Sequence, residues 1–324
     1  MPQTHFMPDR YPPTEPDESG MLEVSDGHRL YWETCGRRDG TPVLWLHGGP
    51  GSGALAVSRR YFDPARYRAV LFDQRGCGRS RPLADHPKVD LSTNTTAHLI
   101  ADIERLREHL GIERWVVAGV SWGVTLGIAY AQRHPNAVRA MVFGAITSAD
   151  RREIDWILRD MGRVFPREWE DFVALVPQSA RRGNVAAAYA RLLADGDAGV
   201  RERAARAWCD WEDTHVSLAP GWTPDPRYDD PTFRSVFARL VTHYWGNYCF
   251  LPDRDQLAHM DSIAAISAVL IHGRYDVSGP LDTAWELHRA WPASTLVVLE
   301  RAGHGGTGFT SAMVEALDSF RAAP

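Results

Sequence analysis

No stretch of this 324-residue chain approaches the roughly eighteen consecutive apolar residues of a membrane span, so no transmembrane helix is expected. Cysteines are few and scattered: Cys35, Cys77, Cys209 and Cys249 form no C-x-x-C pair. That spacing suggests neither a disulfide framework nor a zinc site, and no metal is expected. Basic excess is missing too. The formal net charge is -5, which argues against nucleic acid as the main partner. The N-terminus MPQTHFMPDRYPPTEPDESG is polar and Pro-rich, and reads as an extended arm. Without a basic segment followed by an apolar one, it does not read as a signal peptide, and a cytoplasmic location is expected.

What remains is an ordinary globular composition, 44% apolar and 24% charged. At this length it can bury a large core, as one large domain or as a core with a second unit. Met21–Val24 and His28–Cys35 alternate around Asp26-Gly27, a hairpin signal. Short apolar runs then alternate with helical patterns. The runs are Pro42–His47, Arg68–Phe72, Trp115–Ala118 and Ala140–Phe143, with helices at Thr96–Leu110 and Val124–Gln132. This rhythm predicts an α/β protein with a mostly parallel sheet covered by helices on both faces.

Between Trp115–Ala118 and Val124–Gln132 lies Gly119-Val120-Ser121-Trp122-Gly123, a G-x-S-x-G pattern at a strand-to-helix turn. A serine on such a sharp turn projects its hydroxyl away from the sheet. Small residues two before and two after let strand and helix approach. The helix that follows turns its free N–H groups toward developing negative charge. The strand Pro42–His47 runs into Gly48-Gly49-Pro50-Gly51-Ser52-Gly53. A glycine-rich turn there can cradle phosphate, but neither the dinucleotide fingerprint nor the P-loop ending is present. Its better use is to aim a backbone N–H at Ser121, with the Trp122 N–H completing an oxyanion hole. In Asp73–Ser80 (DQRGCGRS), Asp73 and Arg75 are expected to buttress that turn.

From about Thr147 to Ser262 the βα rhythm stops. Arg151–Met161, Arg167–Leu175, Ala186–Leu193 and Val200–Trp211 read as helices. This predicts a helical cap, residues 147–262, inserted into a core of residues 1–146 and 263–324. Glu212 and Asp213, beside Trp208 and Trp211, suit either a bound cation or a solvated helix end. Alternation returns with the strands Ala268–Ile271 and Thr295–Leu299 and the helices Leu281–His288 and Ser311–Phe320. Ser121, Asp276 and His304 each follow a predicted strand, in the order Ser…Asp…His. A carboxylate fixes the imidazole tautomer, and the imidazole takes the serine proton and returns one to the leaving group. His272 and His47 are expected to be structural.

The stretches HGGPGSG (47–53), DQRGCGRS (73–80), GVSWG (119–123), HGRYD (272–276) and RAGH (301–304) resemble the proline iminopeptidases of the α/β-hydrolase superfamily. The likeness extends through RREIDWILRDMG, FPREWEDF and AARAWCDWED. It implies the α/β-hydrolase fold with an inserted helical cap, and release of an unblocked N-terminal proline with no cofactor. It also implies Ser121 as nucleophile, His304 as base and acid, Asp276 as its orienting partner, and Gly49 and Trp122 as oxyanion donors. By the same resemblance Glu212 would grip the free amine. Two positions depart from the family: Val241 stands where a second amine-binding glutamate is usual, and Thr147 replaces an aromatic that packs the prolyl ring. Asp213 is a candidate compensating charge, and His243 is retained without an assignable step. Removal of N-terminal proline or another small residue from small peptides is therefore one expectation. Hydrolysis of another amide or ester, such as a specialised metabolite, is a second, and a non-catalytic binding protein the contrasting one.

Overall fold

Val116, Val117 and Ala118 are buried on both sides of their strand, as an apolar, β-branched run demands when helices cover both sheet faces. A computed structural model describes residues 10–216, 218–219 and 221–321; most of the predicted N-terminal arm, residues 1–9, lies outside them. The strands are β1 (Glu18–Glu23), β2 (Arg29–Gly36), β3 (Thr41–Leu46), β4 (Tyr67–Phe72), β5 (Trp115–Val120), β6 (Val138–Gly144), β7 (Ala268–Gly273) and β8 (Ser294–Leu299). They form an eight-stranded sheet in the order β1-β2-β4-β3-β5-β6-β7-β8. The β1–β2 hairpin and the β2–β4 pair are antiparallel, and every later pairing is parallel.

Register positions the chemistry. Leu46 pairs with Gly119, Val120 with Gly144, Gly144 with Ile271, and Gly273 with Leu299. The C-terminal ends of β3, β5, β6, β7 and β8 are therefore level. The loops that follow them, carrying Gly49, Ser121, Thr147, Asp276 and His304, open on one edge of the sheet.

The helices of the βα units are α1 (Thr96–His109) and α2 (Trp122–Arg133). Between β6 and β7 come α3 (Arg151–Leu158), α4 (Pro166–Ala174), α5 (Val185–Leu193), α6 (Ala198–His215), α7 (Pro231–Gly246) and the short α8 (Asp255–Ala258), followed after β7 by α9 (Leu281–Ala290) and α10 (Phe309–Phe320). Asp150, Asn184, Asp197 and Asp230 cap the N-termini of α3, α5, α6 and α7 with side-chain oxygens, satisfying donors that a helix start leaves free. The inserted helices join through aromatic contact. Phe172 stacks on Tyr189 at 4.8 Å and on Trp211 at 5.1 Å between ring centroids. Their core is continuous with the sheet face covered by α1 and α2, while α10 packs Phe309, Met313 and Leu317 on the other face.

Three details differ from the sequence reading. Helix α7 was not singled out, because its apolar residues carry no capping signal except Asp230-Pro231. Helix α6 runs to His215, past the expected end at Trp211, and so carries Glu212 and Asp213 on its last turn. Arg75 does not support the glycine turn. Its guanidinium lies fully buried on Asp102 of α1, at 2.6 and 2.7 Å, and bonds Ser25 Oγ and the Thr93 carbonyl, each at 2.8 Å. A buried arginine needs a full set of acceptors, which α1 and the hairpin turn supply. Asp73 does hold the turn: Oδ1 accepts the Ala54 N–H at 2.7 Å and Oδ2 the Arg79 N–H at 2.8 Å.

Candidate active site

Ser121 sits between the last residue of β5 and the first of α2, with φ 55° and ψ -127°. Positive φ strains any residue with a side chain, and here the surroundings impose it. The Ser121 N–H donates to the Gly144 carbonyl at 3.0 Å; its own carbonyl accepts the Val124 N–H at 2.7 Å and the Thr147 hydroxyl at 3.0 Å. Glycine is sterically required on either side. A Cβ at Gly119 would lie 2.9 Å, and one at Gly123 2.2 Å, from the Leu46 carbonyl oxygen.

That contact brings the end of β3 against the nucleophile turn. A Cβ at Gly48 would meet Ser121 Cβ at 3.3 Å, so the His47-Gly48-Gly49 backbone passes directly beside the serine. Among the described residues, neither the Gly49 nor the Trp122 N–H has a hydrogen-bond partner, as donors reserved for an oxyanion require. Gln74 ties both halves together. Its amide donates to the His47 carbonyl at 3.2 Å and accepts the Trp122 indole N–H at 2.9 Å. His47 Nε2 accepts the Gln74 N–H at 3.1 Å, leaving Nδ1 to donate to the Gly48 carbonyl at 2.9 Å. Burial holds this imidazole in its neutral form.

On the far side of the sheet edge, His304 Nδ1 lies 2.9 Å from Asp276 Oδ2, and Asp276 Oδ1 accepts the Gly279 N–H at 3.1 Å. The two loops meet because Gly273 has no side chain; a Cβ there would lie 2.2 Å from the Gly303 carbonyl. His272 completes the turn, accepting the Ile146 N–H and donating to the Gly279 carbonyl. Burial favours the neutral His304 ring, but the ionised Asp276 it bonds outweighs burial and raises its pKa. Burial would likewise raise Asp276, yet His304 and the Gly279 N–H hold its carboxyl below the usual range. Nδ1 of His304 is thereby committed to Asp276, and the ring lines the same cavity as Ser121.

Ser121 and His304 line one cavity of about 300 Å³, with Glu212, Asp213, Trp245 and Thr147 among its other walls. Glu212 Oε1 accepts the Trp208 indole N–H at 3.0 Å, and Oε2 lies 3.1 Å from His215 Nε2. His215 Nδ1 in turn lies 2.6 Å from Ser278 Oγ, two residues beyond Asp276. Asp213 accepts the Asp225 N–H at 3.0 Å; burial, with the charges of Asp225 and Glu212, pushes its carboxyl up to about 6. Beside Ser121 lies a second, smaller cavity of about 30 Å³, walled by Ile154, Ile157, Trp245 and Glu153. Its residue set overlaps the first at Gly49, Ser121, Thr147, Ile157 and Trp245.

A family model described as alpha/beta hydrolase fold matches residues 41–306. A probable proline iminopeptidase of Streptomyces coelicolor is 51% identical over 96% of this chain and 97% of its own. The proline iminopeptidase of Arabidopsis thaliana is 43% identical over 96% of this chain and 82% of its own. This chain belongs to the proline iminopeptidase family of α/β hydrolases. Solved structures agree on the fold. VinJ superposes with a TM-score of 0.63 at 22% identity, covering 94% of this chain and 99% of its own. The proline iminopeptidase of Mycobacterium smegmatis gives 0.57 at 18% identity, covering 93% and 98%.

Within this family frame the sequence-predicted residues divide. Ser121, His304, Gly49, Glu212, Asp213 and Thr147 face the main cavity; Asp276 lies behind His304, and Trp122 borders the smaller space. Val241 does not line either cavity. It is fully buried, because its short side chain ends in the core while Phe237 and Trp245, one turn away on each side, reach the cavity. His243 points away too, donating to the Asn94 carbonyl at 2.9 Å. Gln74, His215 and Glu153 were missed. His215, three residues after Glu212, was the most legible of them, since that spacing shares a helix face.

Proposed function

We propose that this protein is a serine hydrolase that removes an N-terminal proline, or another small residue, from short peptides through an acyl-enzyme. The observation that carries this reading is the meeting in one cavity of the strained Ser121, the Asp276-backed His304 and the carboxylates of Glu212 and Asp213. His304 Nε2 takes the Ser121 proton as Oγ attacks the scissile carbonyl. The tetrahedral oxygen receives the Gly49 and Trp122 N–H groups, and His304 returns the proton to the leaving amine. Water, activated by the same imidazole, then releases the product. A protonated α-nitrogen would pair with Glu212, whose carboxylate lines the cavity beside the Trp208 indole N–H and the His215 ring. Catalysis in this scheme uses no metal or cofactor.

The reading includes a core of residues 1–146 and 263–324, with residues 147–262 as a cap that closes the site from above. A cytoplasmic location is part of it; among the described residues no helix is long and apolar enough to cross a membrane. The test is a matched rate comparison on prolyl, alanyl and N-acetyl-prolyl arylamides and a simple acyl ester. Strong preference for the free prolyl compound is expected. Turnover of the ester or the blocked amide, with little of the free prolyl arylamide, would instead make it an amide or ester hydrolase of other substrates. Position 241 carries no charge and position 147 no ring, which is what would favour that outcome.

A further inference from the structure

The glycine turn that carries the Gly49 N–H is anchored by the core at its two ends. Before it, the His47 carbonyl accepts the Gln74 amide at 3.2 Å; after it, the Ala54 N–H donates to Asp73 Oδ1 at 2.7 Å. Between them Gly49, Gly51 and Gly53 take φ values of 113°, 106° and 71°, and glycine gives a backbone more conformational freedom than any other residue. The Ser52 N–H closes the turn on the Gly48 carbonyl at 3.3 Å, longer than such a bond usually is. An oxyanion donor has to stand within about 0.5 Å of its productive place, so this turn needs a hold in its middle as well.

That hold comes from the segment between α6 and α7. Arg227 Nη1 donates to the Ser52 carbonyl at 3.2 Å, across 175 residues of chain. Asp225 fixes the guanidinium: Nη2 donates to Oδ2 at 2.6 Å, Nε to the two oxygens at 3.0 and 3.1 Å, and the Arg227 N–H to Oδ1 at 3.0 Å. The Phe233 ring lies against it, 4.8 Å from the guanidinium carbon to the ring centroid. Burial would raise the Asp225 carboxyl, but Arg227 outweighs burial and holds it below the usual range, so the pair is ionised. The Asp225 N–H is itself bound to Asp213 Oδ1 at 3.0 Å. Leu240 of α7 packs on the same turn, where a Cβ at Gly51 would lie 3.0 Å from its Cδ1. Asp213, Asp225, Arg227, Ser52 and Gly49 all line the main cavity. We infer that Arg227 is a positioning residue for acyl transfer, which through the Ser52 carbonyl fixes the turn that aims the Gly49 N–H at the tetrahedral oxygen. This role rests on the acyl-transfer reading of the function. It makes the oxyanion hole a joint product of the core and the inserted segment, because the planar fork of arginine holds Asp225 and Ser52 at once.

Arg227→Met keeps an unbranched stem and removes every donor. Adding Asp225→Asn removes the charge that the single change leaves unpaired, so the double variant carries the test where the single one folds poorly. Steady-state constants for the full chain would be measured with a simple acyl ester, prolyl arylamide and a prolyl dipeptide, alongside thermal unfolding. A trifluoromethyl ketone supplies a readout that a merely structural role would not move. Ser121 Oγ adds to its carbonyl carbon, and the hemiketal oxygen so formed enters the oxyanion hole, so its Ki reports donor placement. In both variants kcat is expected to fall about 10- to 100-fold on ester and arylamide alike, as for a donor misplaced rather than deleted. KM should stay within about threefold, and Ki for the ketone should rise by the same factor as kcat falls. Folded variants with wild-type kcat, or with a lowered kcat and an unchanged Ki, would overturn the role. A rise in KM confined to the dipeptide, with ester turnover intact, would make Arg227 a ligand of the substrate carboxylate and overturn it too. Wild-type enzyme that turns over no ester or amide and ignores the ketone would sink the acyl-transfer reading itself. Active wild type with unaffected variants would sink Arg227 alone.

Discussion

Ser121 keeps a backbone conformation that costs a residue with a Cβ on the order of 1–3 kcal/mol, and three hydrogen bonds through its own amide and carbonyl hold it there. Thr147 makes one of those bonds, so its hydroxyl supports the nucleophile turn. Ser121→Gly should lose hydrolysis completely, yet unfold at a temperature equal to or above that of Ser121→Ala, because glycine adopts positive φ without strain. A clearly lower midpoint for the glycine variant would show that the turn is not strained. His304 offers a second test at this scale. Its folded pKa is raised above the ordinary 6.5, so the free base needed for attack is lost as pH falls through that raised value. The Asp276–His304 interaction contributes stability below 6.5 that disappears as pH rises through the folded pKa. In Asp276→Asn the carboxylate is gone while burial stays, so an NMR titration of the His304 ring should move to lower pH. Turnover should fall by about 10⁴-fold. A titration unchanged by the substitution would contradict the assigned pair.

Among the elements, β3, β5 and α2 meet at glycines, and the fit is backbone against backbone. In Gly123→Ala the new Cβ would lie 2.2 Å from the Leu46 carbonyl oxygen, which no rotamer change relieves. A loss of about 3 kcal/mol in urea unfolding is expected, with activity reduced further because Leu46 leads directly into the oxyanion turn. Gly196→Ala is the control. No atom lies within 4 Å of a Cβ there, and a change within about 0.5 kcal/mol is expected. The elements were the most readable part of the sequence, since β5 and α2 announce themselves by a buried β-branched run and a helical apolar face. Helix α7 and the last turn of α6 were less readable. These helices pack through contacts that lie far apart along the chain, Phe172 and Tyr189 against Trp208 and Trp211, and Trp208 against Trp245 of α7.

At the scale of the molecule, one edge of the sheet and the helices between β6 and β7 build the cavity jointly, and the Arg227 guanidinium reaches from the loop before α7 to the Ser52 carbonyl at 3.2 Å. The parallel sheet, the order Ser121…Asp276…His304 and the glycine turn were legible from sequence because each is a local pattern: periodicity, a steric need for glycine, or a polar residue just after a strand. Glu212 and Asp213 were legible from their own residues only as charges at a helix end, and as site residues only through the family resemblance, since direction along a helix end depends on where α6 stops. Arg75 illustrates the limit. Its neighbourhood in sequence suggested the glycine turn, but a buried guanidinium goes where acceptors are, and Asp102 stands on a different helix. Val241 completes the contrast. Sequence pointed to it as a wall of the site and it lies in the core, because whether a side chain meets cavity or core is fixed by its depth. Local chain chemistry thus determined the fold and the reacting groups by itself. Only tertiary packing decided which carboxylates line the cavity, because burial and hydrogen-bond pairing are properties of the assembled core.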